Sequence, residues 1–340
     1  MFLNNLTIEE LKSKLNKELN LKPFRGEQLY RWLHDKKITN FEEAKNLSKD
    51  IIVKLKEKYD LDRLKKVQRL DSKEDNTKKY LFELNDGNII ESVYMKYKHG
   101  SSICISSQAG CRMNCKFCAS TKNGLARNLR ASEMLEQIYS IERDLDENID
   151  SIVIMGTGEP FENFENLLKF LEIITSEKGK NLSKRKITIS TCGIVPQIYE
   201  LANLEQPYNL AISLHSPIQK EREQLIPISK NYNIEDIIKA CDYYYDKTNR
   251  RITYEYIMIE GYNDREKDKQ EIVKLLKNQN CLVNIISLNP IEEFNGKSPD
   301  NEKMNEFRDF LKRNGVNATV RRKLGRDING ACGQLRRKYK

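Results

Sequence analysis

The sequence predicts an α/β fold: a partial or near-complete (β/α) barrel with an N-terminal small helical domain and a connecting β-hairpin. Three observations carry this. From Ser101 onward short apolar strands alternate with helical stretches, and strand starts lie 23 to 48 residues apart, the spacing of repeated βα units. Residues 1–62 instead show apolar residues at helical spacing. Between the two regions, alternating runs flank the turn signal Asn85-Asp86-Gly87-Asn88.

In chain order, Thr7-Ile-Glu-Glu opens a helix through Leu11, Leu15 and Leu19, and helical segments follow at 24–37 and 41–59. The interval 1–75 is assigned to this helical domain and its linker, with 18 basic and 14 acidic residues. The hairpin occupies 76–98, with strands at 80–84 and 89–97. The barrel core is placed at 99–322, with strands at 103–107, 151–155, 186–190, 209–213, 252–258, 282–288 and 317–321. Helices at 132–145, 165–175 and 234–247 fall between them. Residues 323–340 form a basic C-terminal tail. In such barrels chemistry sits on the loops after the strands' C-terminal ends.

The 340 residues are 39% hydrophobic and 32% charged, which is globular composition. No apolar run has bilayer-spanning length, and the N-terminus meets an Asn pair and then charges, unlike a signal peptide. The expectation is a cytoplasmic protein without a membrane partner, in a compartment where thiols stay reduced. Its eight cysteines then need a role other than disulfide stapling. Lys and Arg exceed Asp and Glu by 59 to 50. Much of the excess lies at Arg321, Arg322, Lys323, Arg326, Arg336, Arg337, Lys338 and Lys340, against Asp327 alone. Such a cluster serves a polyanion partner or is a solvated terminus.

The strongest chemical signal is Cys111, Cys115 and Cys118, a C-x3-C-x2-C triplet after the first barrel strand. Three thiolates within eight residues can wrap an iron–sulfur cluster and leave one iron open to a ligand. Structural zinc would need a fourth ligand at regular spacing, and no neighbouring Cys or His pair completes one. Reduced core cysteines are the bland alternative.

That triplet in a βα barrel is the signature of the radical S-adenosylmethionine (radical SAM) superfamily. The flanking segments ICISSQAGCRMNCKFCAS, NGLARNL, MGTGEP, NLAISLHSP and GRDINGACGQLR closely resemble the RlmN/Cfr family of adenine methyltransferases. Five matched segments in order, together with the helical domain and hairpin, extend the resemblance over nearly the whole chain. It implies a 4Fe-4S cluster on the three cysteines, S-adenosyl-L-methionine as cofactor, and 23S rRNA and tRNA as partners. It also implies a low-potential electron donor such as flavodoxin or ferredoxin, and a monomer.

Adenine C2 is an electron-poor amidine carbon that does not attack an S-methyl group. The family's route, as the resemblance implies it, methylates a cysteine, makes that methyl a radical and adds it to the base. A second cysteine then resolves the protein–RNA crosslink through a transient disulfide. The methyl carrier is expected at Cys332, in Gly330-Ala-Cys-Gly333, where small neighbours let the sulfur approach both partners. The resolving thiol is expected at Cys104 and the proton acceptor at Glu91. SAM is expected on Gly158, Glu159, Ser190, Ser213, Leu214, His215 and Asn289, all after strand ends. Thr157 and Ser216 stand where many relatives have Met and Ala, and neither changes an expected ligand. Cys192, Cys241 and Cys281 match no such motif and are read as structural.

A Cfr-like enzyme would methylate C8 of the same adenine and confer antibiotic resistance. Pro160 and the segment FRGEQLYRWLHDK favour the C2 branch. A radical SAM activase acting on a protein leaves the basic tail and GACGQL unexplained. A non-catalytic iron–sulfur or zinc RNA-binding module would bind RNA without cleaving SAM.

Overall fold

The computed structural model describes residues 1–335. Three helices open the chain: α1 (Ile8–Leu19), α2 (Pro23–His34) and α3 (Lys49–Lys58). Thr7 caps α1 through a reciprocal pair with Glu10, and Pro23 starts α2 where no N–H is needed.

The strands β1 (Lys65–Asp71), β2 (Lys78–Glu83), β3 (Ile89–Tyr97) and β4 (Gly100–Cys104) form an antiparallel meander. The expected hairpin is therefore the middle of a larger unit. Leu84 and Asn88 close its turn with a 2.8 Å hydrogen bond, and Gly87 at φ 82° supplies the left-handed residue. The strand β1 falls within 1–75, where sequence periodicity indicates only helices and a linker. It escapes because KKVQRLD is almost wholly exposed and lacks an apolar face. As an edge strand it is held by backbone pairing and by charge, with Lys65 on Glu83 and Arg69 on Asp144.

Beyond β4 the sheet becomes parallel: β7 (Ser151–Ile154), β8 (Ile187–Thr191), β9 (Asn209–Ser213), β10 (Ile252–Met258), β11 (Cys281–Ser287) and β12 (Ala318–Val320). Around them lie α4 (Ala131–Leu145), α5 (Phe164–Thr175), α6 (Val195–Asn203), α7 (Gln219–Leu225), α8 (Ile234–Thr248), α9 (Glu266–Leu276) and α10 (Asn301–Arg313). Among the described residues the sheet ends at β1 and β12, so the barrel is partial. The first barrel strand stops at Cys104, earlier than its apolar run predicts. Ser106 there turns to the Glu91 carbonyl and the Gln137 amide, and a separate ribbon follows, β5 (Gln108–Gly110) with β6 (Leu125–Asn128). No helix among the described residues is long and apolar enough to cross a membrane.

One apolar cluster runs from Leu11, Leu29 and Leu33 through Tyr139 to Ile152, Ile189, Ile212 and Tyr254, so the N-terminal helices share the barrel's core. Asp62 ties the same regions by accepting hydrogen bonds from Arg130, Ser132 and Asn85.

His34 sits in that junction, fully buried, 3.3 Å from the Tyr139 hydroxyl. Burial, reinforced by the nearby Arg63 charge, lowers its pKa to about 3. The unfolded chain binds a proton below about pH 6.5 that the folded protein refuses. Its contribution to stability is therefore intact above that pH and declines as pH falls toward 3. His34→Phe should flatten the fall of unfolding free energy between pH 6 and 4, measured by urea titration. An unchanged slope would show that His34 takes no part.

Candidate active site

The cysteine loop starts at a constraint. Gly110 has φ 86°, and a Cβ there would lie 1.9 Å from the Gly124 carbonyl oxygen. That carbonyl accepts the Cys111 N–H at 3.1 Å. Farther along, Lys116 N–H donates to the Leu225 carbonyl of α7, and Cys118 N–H to Cys115 O. Met113 and Phe117 are buried beneath the loop, with the Phe117 ring edge-on to His215 at 4.7 Å.

The three cysteines border one cavity at the C-terminal mouth of the barrel. Its other walls include Gly158 and Glu159 after β7, Ser190 at the end of β8, Ser213 and His215 at the end of β9, and Cys332. The cavity thus joins six expected cofactor and carrier residues to the cysteine triplet. Three thiols from one loop, without a fourth Cys or His on it, suit a cluster whose remaining iron faces the cavity.

The loop after β7 is held by close backbone approach. At Gly156 a Cβ would meet Ile105 backbone atoms at 2.7 Å. Glu159 is buried, which raises its pKa, while its carboxylate accepts N–H groups of Phe161 and Cys192 at 3.0 and 2.8 Å. His215 has φ 56°, and its Nδ1 accepts the Ile257 N–H at 3.0 Å, so the ring is a neutral wall of the cavity.

Three expected residues lie elsewhere. Leu214 is buried behind the lining, with its N–H on the Glu255 carbonyl. Asn289 borders an adjoining cavity and donates to the Cys332 carbonyl at 3.1 Å. Glu91 is buried in a separate cleft with Lys79 at 3.5 Å, together with Asn329 and Gln334.

The adjoining cavity contains Cys104, and its rim includes Arg321, Arg322 and Lys323. Cys332 borders both cavities. Burial and then Cys332 push the Cys104 pKa up to about 12, so it rests as a thiol. All eight cysteines are free.

The structure adds residues that the sequence motifs do not single out. Arg321 borders both cavities and is drawn electrostatically to Cys332, and then to Glu255, 3.8 Å away. Cys192, expected to be structural, lines the cysteine cavity. Cys241 and Cys281 do lie in the apolar core. Cys192 and Arg321 both lie just past a strand end, and Arg321 also heads the basic cluster. Arg336, Arg337, Lys338 and Lys340 lie outside the described residues.

Gly110→Ala should combine left-handed strain with a carbonyl clash, costing roughly 3 kcal/mol or more. Denaturant unfolding should register this, and a loss under 1 kcal/mol would mean that the loop relaxes freely.

The comparisons agree with this architecture. Residues 105–277 match the family model "Radical SAM superfamily", and residues 2–61 match "Ribosomal RNA large subunit methyltransferase N-terminal domain". Relatives from Finegoldia magna and Lachnoclostridium phytofermentans, both named "Probable dual-specificity RNA methyltransferase RlmN", are 51% and 50% identical. The alignments cover 99% and 98% of this chain and 96% and 94% of the relatives. A crystal structure of a radical SAM methyltransferase from Sphaerobacter thermophilus is 37% identical with a TM-score of 0.94, over 98% of this chain and 99% of that one. With its cysteine cavity at the barrel mouth and these relatives along its full length, the chain belongs to the RlmN family of radical SAM RNA methyltransferases.

Proposed function

We propose that this chain methylates C2 of an adenine in 23S rRNA, at the peptidyl-transferase centre, and of an adenine in tRNA, with Cys332 as the methyl carrier. What supports the assignment of Cys332 is that it borders both the cysteine cavity and the basic-rimmed one. One sulfur there can reach a methyl donor on one side and a base on the other.

Cys111, Cys115 and Cys118 would hold the 4Fe-4S cluster, while Gly158, Glu159, Ser190, Ser213 and His215 would surround SAM. Bound together and reduced, the two would supply the one-electron chemistry that removes hydrogen from a methyl group. The chain's own residues do the rest. The Cys332 sulfur first takes a methyl from one SAM by displacement, releasing the demethylated cofactor and the thiol proton, in a cavity that Arg321 also borders. Asn289 fixes the Cys332 backbone through its carbonyl. After the carbon attached to Cys332 has bonded to C2, Glu91 accepts the C2 proton, and the unpaired electron of the adduct would return to the one-electron centre that supplied it, which restores the aromatic base. The Glu91 cleft includes Gln334, which accepts the Ala331 N–H at 3.2 Å next to the carrier cysteine.

Cys104 then attacks the Cys332 sulfur. The S–S bond forms as the S–CH2 bond breaks, and the bonding pair leaves with the methylene carbon, which takes up a proton to become the product methyl. An external reductant later returns two electrons to the disulfide. Because Cys104 rests as a thiol, its proton must leave as it attacks. Arg321, Arg322 and Lys323 on the rim give phosphates a positive surface. A low-potential flavodoxin or ferredoxin completes the electron supply to a monomeric cytoplasmic enzyme. Pro160 and the full-length likeness to RlmN relatives favour C2 over C8.

Two experiments test these roles. Alanine at Cys111, Cys115 or Cys118 should abolish the cluster's visible absorption and SAM cleavage. Unaltered iron in all three variants would end the cluster assignment. Cys104→Ala should stall as a covalent protein–RNA species that resists denaturant and vanishes with nuclease, whereas Cys332→Ala should form none. An adduct in Cys332→Ala, or wild-type turnover in Cys104→Ala, would reverse the two thiol roles.

A further inference from the structure

Among the described residues, Arg222 is the largest fully buried side chain, with 0% of its surface exposed. A guanidinium in such a place normally has a carboxylate partner, because an unpaired buried charge is expensive. Among the described residues Arg222 has no ion pair. Its Nε donates to the Leu214 carbonyl at 3.2 Å, and Nη2 to the carbonyls of Cys192 at 2.6 Å and Ser213 at 2.9 Å. Its Nη1 is buried without a hydrogen-bond partner. Neutral carbonyls satisfy its donors in part and leave its charge uncompensated.

The location of that charge is informative. Arg222 lies on α7, whose last residue Leu225 accepts the Lys116 N–H from the cysteine loop. The three carbonyls it gathers come from the ends of β8 and β9, which wall the cysteine cavity, while Arg222 itself stays behind the lining. Burial lowers its pKa, and the groups that pull it back up are the thiols of Cys192 and Cys115.

We infer that Arg222 is the built-in counter-charge of the iron–sulfur cluster, a positioning residue that acts through the cavity wall to stabilise the reduced form. The inference rests on the reading of Cys111, Cys115 and Cys118 as cluster ligands. Three thiolates on a 4Fe-4S core give a net negative charge, and the entering electron adds another. A fixed cation behind the wall favours that step, because the low-dielectric surroundings screen it poorly.

Redox titration of reconstituted wild-type, Arg222→Lys and Arg222→Met proteins, followed by electron paramagnetic resonance with iron per chain measured in parallel, tests this. At a fixed dithionite poise, Arg222→Met should show at least a tenfold lower ratio of reduced to oxidised cluster, about 59 mV for one electron. Arg222→Lys, which keeps the charge without the planar fork, should stay within threefold of wild type. If Arg222→Met holds no iron, retention of iron by Arg222→Lys supports the same role. An unchanged potential in iron-replete Arg222→Met, equal shifts in both variants, or loss of iron from both would overturn it and leave Arg222 as a brace for three carbonyls. Wild-type protein that binds no iron would refute the cluster reading itself, and the inference with it.

Discussion

The C-terminal loop is pinned across the mouth of the barrel, and the chemistry depends on that clasp. Ala119 N–H donates to the Gly333 carbonyl at 2.7 Å, Ser120 to the Leu335 carbonyl at 2.7 Å, and Asn289 to the Cys332 carbonyl at 3.1 Å. These bonds join the cysteine loop, the end of β11 and the last described turn. Gly333, at φ 83° and packed against the Phe117 carbonyl, lets the chain pass this close. Cys332 thereby stands between two cavities rather than in either one.

Burial then separates the surroundings of chemically identical groups. Cys104 is enclosed by Val93, Met95 and Leu335, and its proton is held tightly. Cys332 is partly exposed and borders the same cavity as Arg321. The two sulfurs thus share one cavity at different degrees of burial. Polar residues at the β7, β8 and β9 ends face the other cavity, and they are positioned by backbone contacts rather than by long flexible side chains.

The N-terminal helices are part of this machinery through packing. Their apolar faces merge with the barrel core, and Asp62 gathers donors from α4 and the β2–β3 turn. Asp327 receives Ser72 and Lys73 from the loop after β1, and Asp75 receives the Gly325 N–H, so the meander also braces the segment leading to Cys332. The loop that bears Cys332 is held from both sides by elements far away in sequence.

Much of this was legible in the residues themselves, because local chemistry has local signatures. Alternating apolar strands at βα spacing, the Asn-Asp-Gly turn and three cysteines within eight residues each follow from short-range constraints. The exposed strand β1 was not legible, since its pairing is by backbone and charge and leaves no apolar period. Nor were the separate cleft of Glu91, the cavity-facing position of Cys192, or the shared border at Cys332. Those depend on which strand ends and loops meet in space. Cys192 follows the C-terminal end of β8 and Cys281 opens β11, so strand direction puts one at the barrel mouth and the other in the core. The sequence by itself determined which chemical groups the protein owns and which elements carry them. The tertiary structure alone decided which groups share a cavity, because long-range packing sets their separation, burial and charge.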